Sequence, residues 1–243
     1  MNQKEFKAAV VIPAYNEQNI IGKTVKALLK FPIIERIVVV DDGSSDNTAV
    51  AASDAGADVI SMPVNRGKAY AMKKGYEAVT SPIIVFLDAD LGESADQVLK
   101  LIEPIYEGKA EAVIARFPMT PGRGGFGLVK QLAAKGLHFL TGKQLSSVLS
   151  GQRAFLRSVL KPELFDYSGF GIEFGMTVDM LTMDMQVQEV DVNMKHRTTG
   201  RDIRGFLHRF RQFRDILGVF IKKLAERMFL KLKCSFPKEH DKA

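Results

Sequence analysis

Two aspartates one residue apart, Asp88 and Asp90, stand at the end of an apolar run, Ile83-Ile84-Val85-Phe86-Leu87. A segment apolar on both faces reads as a central strand of a covered parallel sheet, and in open α/β sheets ligands collect at the carboxyl ends of such strands. Because only the small Ala89 separates them, both carboxylates can approach one hard divalent cation, and Mg²⁺ commonly bridges a few carboxylates to substrate phosphates. The chemistry indicated is work on a nucleoside diphosphate that carries a further group. A strand that merely ends in a polar turn shows the same tripeptide, so the surrounding elements decide between the two.

Those elements are legible on either side. Ala8-Ala9-Val10-Val11-Ile12-Pro13 is a first buried strand, which Pro13 ends because it has no N–H to donate. After the loop Ala14-Tyr15-Asn16-Glu17, Asn19 is placed to cap a helix reaching about Lys30. A second strand, Ile37-Val38-Val39-Val40, runs into Asp41-Asp42-Gly43-Ser44-Ser45-Asp46-Asn47-Thr48, where Asp46 or Asn47 would start the next helix. A weaker strand at 58–61 leads to Asn65-Arg66-Gly67-Lys68, a helix over 69–79 and then the central strand. This alternation predicts an α/β fold with a mostly parallel, doubly wound sheet and right-handed crossovers. No GxGxxG opens the first helix and no P-loop occurs, which argues against a dinucleotide-binding dehydrogenase and a kinase.

Past a strand at 112–115 the pattern loosens. A Gly-rich loop, Gly122-Arg123-Gly124-Gly125, precedes a helix over 128–140, and Gly169-Phe170-Gly171-Ile172-Glu173 precedes a helix from about Met176. Residues 186–192 alternate as a strand that ends near His196, and 201–232 read as one long amphipathic helix or two. With 243 residues, 46% of them hydrophobic, the chain can build one substantial core with an appendage. The single cysteine, Cys234, excludes an internal disulfide framework and points to a reducing, cytoplasmic setting. The first residues lack the apolar core of a signal peptide, and no membrane span is expected. The net charge of +6 is concentrated, since residues 201–233 hold ten Lys and Arg against Asp202, Asp215 and Glu226.

Four segments in this order and spacing carry a resemblance: Val11-Ile12-Pro13-Ala14-Tyr15-Asn16-Glu17, Val40-Asp41-Asp42-Gly43-Ser44-Ser45-Asp46-Asn47-Thr48, Asn65-Arg66-Gly67-Lys68 and Asp88-Ala89-Asp90. Over roughly the first 160 residues the chain resembles family 2 glycosyltransferases of the GT-A fold. Ser150-Gly151-Gln152-Arg153 is similar to a motif of the dolichyl- and polyprenyl-phosphate sugar transferases in that family, and Gly169–Glu173 with His196 is similar to glucosyl-3-phosphoglycerate synthases. The resemblance implies that Pro13, Ala14, Tyr15 and Glu17 line a nucleotide pocket and that Asp41 reads the base. It implies that Arg66, Gly67 and Lys68 meet the nucleotide, that Asp88 and Ala89 face ribose or sugar, and that Asp90 and Asp88 hold Mg²⁺ or Mn²⁺ on the diphosphate. The metal would neutralise charge on the departing nucleotide.

His196 would be a further metal ligand by the same resemblance, with a solvated loop histidine as the plain alternative. Glu173 is a candidate to orient the acceptor or serve as general base, or is simply a glutamate favoured by a helix N-terminus. A phosphate acceptor needs no base, being already an anionic nucleophile. Arg116, Arg123, Arg153 and Arg197 would then clamp it, with Ser150, Gly151 and Gln152 beside them and Arg153 among the catalytic groups.

The expected organisation is a GT-A domain over 1–200 and a basic helical appendage over 201–243. An apolar face flanked by Arg and Lys suits a helix lying on an anionic membrane, and it equally suits packing on the catalytic domain or in a homodimer. No nucleic-acid module accompanies it. The function expected is transfer of a hexose from a UDP- or GDP-sugar to a polyprenyl phosphate at the inner membrane face, with inversion. Transfer to a soluble phosphorylated acid such as 3-phosphoglycerate is the alternative. A non-catalytic membrane adaptor would be expected to have lost Asp88 and Asp90, and both are present.

Overall fold

A computed structural model of the chain describes residues 6–118, 128–195 and 203–235, with side chains in the last segment described from 210 to 229. Seven strands form one sheet: β1 (Ala8–Ala14), β2 (Ile34–Asp41), β3 (Asp58–Ser61), β4 (Ile83–Phe86), β5 (Ala112–Arg116), β6 (Arg153–Leu156) and β7 (Val187–Asp191), in the order β3-β2-β1-β4-β6-β5-β7. The β1–β2, β1–β4, β2–β3 and β5–β7 pairings are parallel. β6 enters between β4 and β5 and runs against both.

The helices follow from the crossovers: α1 (Ile21–Leu28), α2 (Thr48–Asp54), α3 (Lys68–Ala78), α4 (Leu99–Tyr106), α5 (Leu128–Thr141), α6 (Ile172–Thr182) and α7 (Ile203–Ser235). Successive residues of a strand point to opposite faces, and the apolar runs therefore feed two cores. Val10, Ile12, Val39 and Val85 pack with α1 and α4 on one face, while Val11, Val38, Val40, Ile84 and Phe86 pack with α3 and α6 on the other. Burying a side chain such as Phe86 stabilises the fold by roughly 1.5–3 kcal/mol. α3 lies so close to β1 that a Cβ on Gly75 would stand 2.1 Å from Val11 Cγ1.

Three details differ from the sequence expectation. β6 was hidden in a motif headed by polar residues and runs antiparallel. α6 begins at Ile172, earlier than Met176, so Glu173 lies in its first turn. Asn19 does not cap α1, whose N-cap is Ile20.

The C-terminal segment is one helix. Ile216 and Val219 are buried and, with Phe220 and Leu224, pack against α5 and α6 in a third apolar cluster. The Phe139 and Phe220 rings meet tilted at 57° with their centroids 6.0 Å apart, and Arg227 Nη1 donates to the carbonyls of Phe139 and Leu140. No helix among the described residues is long and apolar enough to cross a membrane.

Candidate active site

The parallel strands β1, β2 and β4 deliver their carboxyl ends to one edge of the sheet, as does β5. At this edge the loops after β1 and β2 are stitched together. Asn16, held at φ 56°, donates its N–H to Ser44 Oγ at 2.9 Å and accepts the Ser45 N–H on its side-chain oxygen at 2.9 Å. Glu17 N–H donates to Thr48 Oγ1 at 2.8 Å, and Asp46 accepts from Thr48 and Gln18. Pro13, Ala14, Tyr15 and Glu17 therefore belong to one wall with Asp41, whose carboxylate accepts the Ser44 N–H at 3.2 Å. The Tyr15 ring is half exposed on that wall.

Asp42, which sequence reasoning left without a role, ties this wall to the next loop. Its buried carboxylate accepts the N–H groups of Arg66 and Gly67, each at 2.7 Å. Gly67, at φ 91°, makes the turn from that loop into α3, in a region that other residues seldom occupy. The Arg66 guanidinium lies over the Tyr70 ring at 3.9 Å. A groove of about 320 Å³ between α3 and residues 165–169 opens beside this loop.

Lys68, first residue of α3, is the hub. Its Nζ donates to Asp88 Oδ1 at 2.7 Å and to Glu173 Oε1 at 2.8 Å. Burial works against the Lys68 charge, but the two carboxylates outweigh it and hold the ammonium well above the ordinary lysine range. The other Asp88 oxygen accepts from Gln152 Nε2 at 2.6 Å. Gly151 passes so close that a Cβ would lie 2.5 Å from Lys68 Nζ and 3.0 Å from Asp88. The Asp88–Asp90 turn is held from below by buried Thr24, which donates to the Ala89 carbonyl and accepts the Gly92 N–H, both at 2.8 Å.

These contacts change one assignment, that of Arg153, and leave Asp88 with one oxygen accepting from Lys68 and the other from Gln152. Arg153 faces inward: 1% exposed, it donates from Nε to the Ser150 carbonyl and from Nη2 to those of Val148 and Glu173. Burial pulls its pKa down to about 10. A guanidinium enclosed by carbonyls is a brace for the 148–152 loop and α6, and the expectation of a catalytic acceptor clamp at Arg153 is corrected accordingly.

Arg116 lies at the end of β5, two strands away from β4, in a bidentate pair with Asp191 at 2.6 and 2.7 Å. Ser150 is buried in the braced loop. Arg123, His196 and Arg197, the other residues expected at the acceptor or the metal, lie outside the described residues. Among the described residues no group of three or more His, Cys, Asp and Glu is arranged to hold a metal. Asp90, half-buried on the same turn as Asp88, fits an ion that takes its other ligands from diphosphate oxygens and water.

Comparison with known proteins follows the same outline. The model of the family described as Glycosyl transferase family 2 matches residues 9–163. Glycosyltransferase AglJ of Haloferax volcanii is 29% identical over 201 residues, covering 79% of this chain and 64% of that protein. Undecaprenyl-phosphate 4-deoxy-4-formamido-L-arabinose transferase of Yersinia pestis is 34% identical over 118 residues, 44% of this chain and 36% of that one. Glucosyl-3-phosphoglycerate synthase of Mycobacterium tuberculosis is 29% identical over 229 residues, covering 83% and 70%. Its crystal structure with Mn²⁺, UDP and phosphoglyceric acid superposes with a TM-score of 0.73 at 24% identity over 96% of this chain and 80% of that one. The chain spans less than two thirds of the length of AglJ and about a third of the Yersinia enzyme.

Proposed function

Since the chain belongs to glycosyl transferase family 2, we propose that it moves a hexose from a UDP- or GDP-sugar to a phosphorylated acceptor. The observation that carries this reading is the meeting of Asp88, Lys68, Gln152 and Glu173 at the carboxyl edge of the sheet, beside the wall formed by the loops after β1 and β2. The carboxylate of Asp88, locked by two donors, accepts hydroxyls of the sugar or ribose without having to be reordered. Lys68 brings a permanent positive charge next to the bond that breaks, where the departing diphosphate gathers negative charge. Glu173 orients a sugar or acceptor hydroxyl, its own position set by Lys68. Asp90 would hold Mg²⁺ or Mn²⁺ with the diphosphate, and the bound ion supplies charge neutralisation at the leaving group.

For the acceptor, a polyprenyl phosphate is favoured by the outer side of α5 and α7. Leu128, Phe139, Phe210, Ile221, Met228 and Phe229 are all more than half exposed there, interleaved with exposed Arg211, Arg214, Lys222 and Arg227. Apolar anchors mixed with cations suit an anionic lipid surface. The similarity to glucosyl-3-phosphoglycerate synthase, which reaches past Glu173, favours a soluble phosphorylated acid as the second reading.

The test is transfer by the purified chain with Mn²⁺ or Mg²⁺, using UDP- and GDP-hexoses against a polyprenyl phosphate and 3-phosphoglycerate in parallel. Product on one acceptor selects the reading. Asp90→Asn should lose activity and the metal response together, with the fold intact. Full turnover in that variant, or in EDTA, would refute the metal role.

A further inference from the structure

α7 carries more than an outer surface. Its Asp215, with a side chain only 15% exposed, points into the turn that precedes α6, where Oδ2 accepts the Phe170 N–H at 3.2 Å. Arg214 holds the other oxygen of the same carboxylate at 2.8 Å. The fit is tight on both sides of that bond: a Cβ on Gly169, a residue at φ +58°, would lie 2.2 Å from Asp215 Oδ2, and one on Gly171 would lie 2.6 Å from Val219 Cγ2. Two residues beyond Gly171 stands Glu173, bound to Lys68 at 2.8 Å.

A second contact fixes the far end of the same element. Lys223 pairs with Asp179 of α6 at 2.7 Å, the Tyr167 hydroxyl donates to the same Asp179, and the Lys223 ammonium lies 5.5 Å from the centre of the Tyr167 ring. Residues 167–182 thus meet α7 through polar contacts at both ends with the apolar packing of Ile216 and Val219 between them, and among the described contacts they reach Lys68 through Glu173. Neither polar contact touches the sugar side of the site.

We infer that Asp215 is a positioning residue for Glu173: by holding the 169–171 turn it sets where α6 begins, and so where the Glu173 carboxylate meets Lys68. Its importance for turnover rests on the transfer reading above, whereas its mechanical effect on the turn does not. A carboxylate displaced by about 1 Å at a reacting centre can lower a rate by up to about a hundredfold, and a turn that loses one of several restraints should cost less.

The experiment compares Asp215→Ala and Asp215→Asn in the full chain. Asp215→Ala should lower kcat about tenfold with donor KM within about twofold, and Asp215→Asn, which keeps an acceptor oxygen for the Phe170 N–H, should recover most of the rate. In a Glu173→Gln background Asp215→Ala should cost less than about twofold more, because both changes then act through one group. Hydrogen exchange supplies a readout free of activity: Asp215→Ala should speed exchange over 169–173 and leave 68–88 protected. Equal losses in both backgrounds, or an unchanged 169–173 segment, would overturn the inference. If the wild-type chain transfers nothing to either acceptor, the transfer reading fails by itself and the exchange result still decides the link. Should Asp215→Ala fail to fold, Asp215→Leu, which keeps the side-chain volume but offers no acceptor to the Phe170 N–H, carries the comparison, and wild-type protection over 169–173 with wild-type kcat in that variant would count against the link.

Discussion

Lys68, opening α3, and Glu173, in the first turn of α6, form a 2.8 Å ion pair across 105 residues of sequence. With Asp88 on the other side of the same ammonium, the pair joins the nucleotide half of the chain to the acceptor half. Lys68→Met should therefore leave two neighbouring carboxylates facing each other with no cation between them. Turnover is expected to fall about 100- to 1000-fold, the size typical for losing one preorganised charged group. Steady-state kinetics and far-UV circular dichroism check this, and a folded variant at wild-type rate would remove Lys68 from the mechanism.

Gly151→Ala tests the same point by volume alone. The added methyl falls 2.5 Å from Lys68 Nζ, and a flexible lysine tip can move away at little cost in stability. Activity should drop at least tenfold while Tm stays within about 3 °C, since the atoms that the methyl meets are the ends of the Lys68 and Asp88 side chains and not the backbone. A loss of stability without loss of rate would contradict the geometry.

Arg153→Met distinguishes a brace from a clamp. It removes three hydrogen bonds to carbonyls; those of Val148 and Glu173 keep the Thr177 hydroxyl, and that of Ser150 loses the guanidinium. The expected cost is about 2–4 kcal/mol, or a Tm lower by about 5–15 °C, because three bonds from a charged donor, worth roughly 1.5–3 kcal/mol each, are lost while part of the guanidinium's own desolvation cost is relieved. An unchanged Tm with a collapsed rate would restore the clamp.

The alkaline limit of stability should trace to the α6–α7 junction. Burial pushes the Tyr167 hydroxyl up, as does its bond to Asp179; burial opposes the Lys223 charge, but Asp179 and Tyr167 outweigh it and hold the ammonium above its usual range. Both groups are more firmly protonated folded than unfolded, so their contribution is complete below about pH 10, the ordinary range of both, and is lost as pH rises beyond it. The Tm difference between wild type and Lys223→Met should be flat from pH 6 to 9 and shrink above about 10. A difference that grows with alkalinity would reverse the assignment.

Six of the seven strands could be read from the chain, five from short runs rich in apolar residues and β7 from its polar–apolar alternation. β6 could not: Arg153-Ala154-Phe155-Leu156 is four residues headed by a charge, and that charge can be buried only because carbonyls of the 148–150 loop and α6 accept its hydrogen bonds. The same limit applied at the site. Asp88, Lys68 and Glu173 were each visible as candidates, but nothing local says that one ammonium joins all three. Asp41 and Asp42 are adjacent and chemically alike, and only the pleat decides that Asp42 receives the Arg66 and Gly67 amides. Arg153 misled for a related reason: a guanidinium in a motif suggests a ligand, whereas its direction is fixed by tertiary packing.

The reversed strand also bears on how the protein is made. As the nascent chain leaves the ribosome, β1 to β4 can assemble in their final parallel order, yet one flank of β4 has no partner until β6 has been synthesised, some 65 residues later. During that interval Ile83-Ile84-Val85-Phe86 presents an unpaired apolar edge, the kind that seeks another strand. Translation that stalls between β5 and β6 should yield fragments that aggregate or are held by chaperones, while fragments ending after Leu156 should stay soluble for longer.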